Sequence, residues 1–203
     1  MPVGGGGLIS GVAFAIKSLR PEVKVYGVQA EGAPSMYRSL HEHKYQTLKA
    51  VSTFADGIQV KTPGELTYQI CEQYVDDIVT VSEDETAAAI LSLMENQKLV
   101  AEGAGAVPVA AVLFHKLPVE GKKVACVVSG GNIDVNILNR VITPWSGHER
   151  PQGEHDHCAG GQARPAQEGG RDRVPLRQQC GVGAARWLRS QHAHFQLLPQ
   201  AHP

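Results

Sequence analysis

An α/β fold, a parallel sheet flanked by helices, is predicted for residues 1–142 of this 203-residue chain. Three observations lead there. Apolar residues switch repeatedly between helical and strand spacing along the stretch. The run Val124-Ala125-Cys126-Val127-Val128 is apolar at every position, as a central strand covered on both faces requires. Four glycines, Gly4 to Gly7, stand between a strand stub and an apolar helix, where α/β sheets place their ligand loops.

The elements follow in order. Leu8 to Leu19 places Leu8, Val12, Ala15, Ile16 and Leu19 on one helical face, and Pro21 ends it. Lys24 to Ala30 reads as a strand, so stub, helix and strand make one βαβ unit. Glu31-Gly32-Ala33-Pro34 leads into a short helix, and Pro63 to Tyr74 forms another with proline in its first turn. Asp77 to Val81 is the next strand. Ser82-Glu83-Asp84-Glu85 is a capping box in front of the stripe Ala87, Ile90, Leu91 and Met94. Ala104 to Leu113 is apolar all round and predicts a buried helix, Lys122 to Val128 a strand, and Ile133 to Val141 a last helix.

Residues 143–203 are different: seven arginines, no Lys, Ile, Asn, Tyr or Met, and no periodicity. They are expected to be a disordered tail outside the domain. The formal net charge of −1, with no basic helix face, argues against nucleic acid or an anionic membrane as partner and favours a small molecule. No run approaches the roughly 20 apolar residues of a membrane span, and no signal peptide is visible, so the expected location is the cytoplasm. Cys71, Cys126, Cys158 and Cys180 lack pairing motifs; the first two are expected as buried thiols.

Chemistry is expected in the loops after strands. Without side chains, Gly4, Gly5, Gly6 and Gly7 let backbone N–H groups converge at the positive end of the next helix, which suits a phosphate. Ser129-Gly130-Gly131-Asn132 follows the apolar strand; it allows close ligand approach and a single hydroxyl hydrogen bond, or is simply a tight turn with Asn132 as helix cap. Glu102 precedes an apolar helix, where an acid complements the dipole or touches a ligand. Asp76 and Asp77 read as a solvated face. His155, His157, Cys158, Cys180, His192 and His194 match no zinc spacing.

Several ordered motifs carry a resemblance: Pro-Val-Gly-Gly-Gly-Gly-Leu at 2–8, Ala-Asp-Gly at 55–57, Val-Asp-Asp-Ile-Val-Thr-Val-Ser-Glu-Asp-Glu at 75–85, Glu-Gly-Ala-Gly-Ala at 102–106 and Ser-Gly-Gly-Asn-Ile-Asp at 129–134. Over about 140 residues the chain resembles threonine dehydratases (threonine ammonia-lyases) of the serine/threonine dehydratase family, which includes serine racemases. The resemblance implies the C-terminal part of a fold-type II, tryptophan synthase β-like catalytic domain that uses pyridoxal 5'-phosphate. It implies phosphate binding by Gly4, Gly5, Gly6, Gly7 and Leu8, a hydrogen bond from Ser129 to the pyridine nitrogen, and Gly57 and Glu102 lining the cofactor region. The implied substrate is threonine or serine, lost as 2-oxobutanoate or pyruvate with ammonia, and the whole enzyme is expected to be a homo-oligomer.

The departures are equally specific. The family's Schiff-base lysine lies upstream of the glycine loop in a Ser-Phe-Lys-type motif that this sequence lacks, so no catalytic residue is assigned and the chain is expected to be N-terminally truncated and inactive alone. Glu31 fits one position of the racemases' metal site, but Ser35 and Tyr37 stand where other donors belong, so no metal is assigned. The tail resembles no regulatory domain and reads as a frameshift product. Alternatives are a racemase-like enzyme, a non-catalytic remnant, and a dinucleotide-binding unit, whose third glycine is missing at Ile9 or Ser10.

Overall fold

The computed structural model describes residues 1–147, so the tail readings, frameshift and histidine-cysteine set included, fall outside the described residues. Helix α1 (Gly7–Leu19) leads to strand β1 (Tyr26–Ala30) and short helix α2 (Ser35–His41). Helix α3 (Glu65–Tyr74) then precedes strand β2 (Asp77–Val81) and α4 (Glu83–Ser92). Helices α5 (Gly103–Leu113) and α6 (Val135–Gly147) complete the described chain. Both sequence-derived strands in the first half form. They pair in parallel, with Tyr26 opposite Asp77 and Ala30 opposite Val81.

The stub before the glycines joins the same sheet. Pro2 bridges Val28 in parallel, and the Met1 carbonyl accepts from the Val28 N–H at 2.8 Å. Strand stub, α1 and β1 are therefore the βαβ unit expected from the pattern. Burial alternates across the sheet. Val28, Ala30 and Val81 pack with α4 and α5, while Val3, Ile9, Met36, Cys71 and Ile78 form a second cluster under α1, α2 and α3. Gly27 permits this: a Cβ there would lie 2.8 Å from both Val3 and Ile78 side-chain carbons.

Buried Gln29 is the one polar residue in the middle of β1. Its amide N–H donates to the Val3 carbonyl at 3.0 Å and its oxygen accepts from the Tyr37 N–H at 2.8 Å, tying the stub to α2. The capping box forms as read: the Glu85 N–H donates to Ser82 Oγ and the Ser82 N–H to Glu85 Oε2. Helix α4 runs into a π turn at Leu93–Gln97, closed by Lys98 at φ 58°. Ten of the eleven residues of α5 are buried, as its uniform apolarity predicted.

Three expectations need correction. Lys122 to Val128 forms no ladder among the described residues, although Cys126 and Val128 pack against the α5 core. A strand exists only where a neighbour supplies backbone partners, and apolarity alone does not provide one. Asn132 is not a cap, since α6 starts later and the Asn136 N–H donates to the Asp134 carboxylate at 2.7 Å. Asp76 is not merely solvated: its carboxylate receives the Lys17 and Lys24 ammoniums at 2.6 and 2.8 Å and the Val25 N–H at 2.7 Å.

Candidate functional site

Hydrogen bonds to successive carbonyls aim the peptides of the glycine loop, Gly4 to Gly7. In a trans peptide the C=O and N–H point in opposite directions, so the partner of each carbonyl aims the next N–H. Gln29 holds the Val3 carbonyl, which turns the Gly4 N–H the other way. The Gly5 carbonyl accepts from the Gly64 N–H at 2.9 Å and from the Thr67 hydroxyl at 2.5 Å, which turns the Gly6 N–H away from α3. The Gly6 carbonyl accepts the first helical bond from the Ser10 N–H, so the Gly7 N–H points back out of the helix start. The N–H groups of Gly4, Gly5, Gly6, Gly7 and Leu8 have no acceptor among the described residues.

Glycine is required at one place in this turn, Gly6, and is closely packed at a second, Gly4. Gly6 has φ +96°, in the left-handed region, and a Cβ there would lie 2.5 Å from Met36 Cε. A Cβ on Gly4 would lie 3.3 Å from the Ile58 backbone. Gly5 and Gly7 instead face open space, on the side where a ligand can approach.

The other motif loops meet this one in a chain of contacts. Gly4 lies against Gly57, and Gly57 against Glu102, whose carboxylate oxygen would be 3.3 Å from an added Cβ. Glu102 in turn packs on Gly130, its carboxylate occupying the space a Cβ there would take, and its N–H donates to the Gly130 carbonyl at 3.1 Å. Ser129, next to Gly130, is exposed, and its hydroxyl has no partner among the described residues. Beside Glu102 opens a cavity of about 290 Å³ that Phe54, Asp56, Asn132 and Asp134 help to line. Gly4, Gly57, Glu102 and Gly130 are thus one continuous surface, although the sequence spreads them over more than 120 positions.

Two residues that shape the loop were not singled out from the sequence: Gln29 and Thr67. Neither belongs to a motif. Burial lowers the Met1 amine to about 6, and it donates to the Tyr26 carbonyl at 2.8 Å. Burial also raises the Cys126 thiol, with the neighbouring Met1 amine working the other way. Cys71, buried and free, is raised to about 11 and so stays protonated.

A parallel sheet, a glycine turn lined by N–H groups without acceptors, and a helix starting at that turn define an α/β protein suited to an anionic ligand group. The particular family follows from comparison. The family model described as "Pyridoxal-phosphate dependent enzyme" matches residues 1–130, and the chain belongs to that family. It is 61% identical over 142 residues to an L-threonine ammonia-lyase of Thermotoga maritima, covering 70% of this chain and 35% of that protein. It superposes on threonine deaminase isoform 2 of Solanum lycopersicum with TM-score 0.65 and 38% identity, over 70% of this chain and 42% of that one. On the serine racemase of Dictyostelium discoideum the TM-score is 0.60 at 38% identity, over 66% and 43%. The chain therefore spans between a third and a half of the length of these relatives. Its fold is that of the fold-type II pyridoxal phosphate enzymes.

Proposed function

We propose that this chain is the cofactor-binding part of a threonine ammonia-lyase, which converts L-threonine to 2-oxobutanoate and ammonia. The observation that carries the reading is the row of five N–H groups at Gly4 to Leu8 that lack acceptors, at the start of a 13-residue helix. The residues fit the group. Such a row, with the positive end of α1 behind it, stabilises a phosphate dianion. The 61% identity to a threonine enzyme, against 38% to a serine racemase, favours the lyase over the racemase.

Bound pyridoxal phosphate supplies an electron sink that lets an amino acid lose its α-proton and then its β-hydroxyl. The chain's residues would hold and orient it. Gly4 to Leu8 would bind the phosphate, and the free Ser129 hydroxyl would donate to the pyridine nitrogen. That donor is neutral and does not hold the nitrogen protonated as a carboxylate would, which suits an elimination whose leaving group is already on the β-carbon. Glu102 and Gly57 would flank the cofactor. The sequence holds no Ser-Phe-Lys-type motif for the family's Schiff-base lysine, so this polypeptide is expected to bind cofactor without turning over threonine.

The test is equilibrium dialysis of the purified chain with pyridoxal 5'-phosphate, with pyridoxal as the comparator lacking phosphate, followed by an assay for 2-oxobutanoate. Phosphate-dependent binding without product is the expected result. Equal binding of pyridoxal would remove the phosphate loop from the argument. Product from threonine would overturn the assignment of inactivity.

A further inference from the structure

We propose that Thr67 is a positioning residue that sets the direction of the glycine loop, by holding the Gly5 carbonyl against the start of α3. The inference rests on the reading of Gly4 to Leu8 as the phosphate cradle. Thr67 is the third residue of α3, where a threonine ordinarily has only local partners, yet its hydroxyl reaches across 62 positions to the Gly5 carbonyl at 2.5 Å. Its only local alternative is the Gly64 carbonyl, at 2.9 Å. A hydroxyl has one proton, and the shorter contact places it on Gly5.

The consequence is directional. With the Gly5 carbonyl occupied by Thr67 and the Gly64 N–H, the peptide between Gly5 and Gly6 cannot rotate, and the Gly6 N–H stays on the open side. The same hydroxyl lies 2.8 Å from where a Gly6 Cβ would be, so it also forms part of the floor that excludes side chains from the turn. Thr67 is half-buried beneath the loop and touches the ligand only through the backbone that it aims. With the hydroxyl replaced by a methyl group of similar shape, the carbonyl keeps a single donor and the loop loses its fixed orientation.

The experiment compares Thr67→Val, Thr67→Ser and the unaltered chain by equilibrium dialysis with pyridoxal 5'-phosphate, inorganic phosphate and pyridoxal. Circular dichroism melting of all three proteins runs alongside. Loss of about one hydrogen bond's worth of ordering predicts roughly tenfold weaker binding of both phosphate-bearing probes by Thr67→Val. Thr67→Ser is expected to bind like the unaltered chain, and pyridoxal to bind all three alike. Unchanged phosphate binding by a folded Thr67→Val overturns the role of Thr67 and leaves the cradle intact. Equal weakening toward pyridoxal, or no rescue by serine, shows a merely structural role and also overturns it. If the unaltered chain binds neither phosphate-bearing probe, the cradle itself fails and the proposal falls with it.

Discussion

Asp76 gathers three donors from three places: Lys17 near the end of α1, Lys24, and the Val25 N–H just before β1. Its side chain is 16% exposed. Burial works to raise the carboxyl, but the two ammoniums and the Val25 N–H outweigh it and hold the group at about 2, against an ordinary 3.8. A depressed acid stabilises the fold above its unfolded value and loses that contribution as pH falls toward the folded one. Asp76→Asn is expected to lower stability by about 1–2 kcal/mol at pH 6. In urea titrations its deficit relative to the unaltered protein should shrink between pH 4 and 2; a deficit constant across that range would rule out the ion cluster as the cause. Reach in sequence decides which residues of this kind could be foreseen. Gly4 to Gly7 declare themselves because four consecutive glycines before an apolar run are a local signal. Gln29 and Thr67 find partners 26 and 62 positions away, and nothing near them in the sequence announces it.

Helices whose signals are local formed where the sequence put them. Ser82 and Glu85 satisfy each other's N–H groups within one turn, so the start of α4 could be read from four residues. Ser82→Ala removes the acceptor for the Glu85 N–H and is expected to cost about 1 kcal/mol, measured as a shift in urea midpoint. An unchanged midpoint would mean that α4 is held by its packing on α5 alone. The end of α4 was not foreseeable, because the π turn at Leu93–Gln97 breaks the very period used to find the helix. Lys122 to Val128 failed for a different reason. Its residues fit a strand, and it packs like one, but pairing is a property of two segments and the sequence shows one at a time.

At the scale of the molecule, the described sheet is a thin partition: β1, β2 and a single bridge at Pro2, with one hydrophobic cluster on each side. The α/β class and the order of elements were legible because the helices and strands of residues 1–113 carry local signals: periodicity, a capping box, a proline near a start, or uniform apolarity. The convergence of Gly57, Glu102 and Gly130 left no local signal and could be expected only from the family resemblance, since it depends on where three separate loops end in space. Backbone bonding also divides the molecule. The N–H groups of Val28 and Glu31 are bonded within the sheet, whereas those of residues 123–129 have no acceptor among the described residues. Hydrogen exchange followed by mass spectrometry is expected to show peptides from 123–129 exchanging at least a hundredfold faster than those from 26–30. Equal protection would mean that the 123–129 backbone is paired in solution.

Helix α5 has no outward side. Most helices drift in sequence on the face that meets water while the other face stays fixed, but from Gly103 to Val112 every position is closed off. Gly103 and Gly105 are pressed against Ala55 and Gly130, so even a methyl group is unwelcome at the end nearest the site. The helix that carries Glu102 at its start therefore leaves room only for exchanges among small apolar residues.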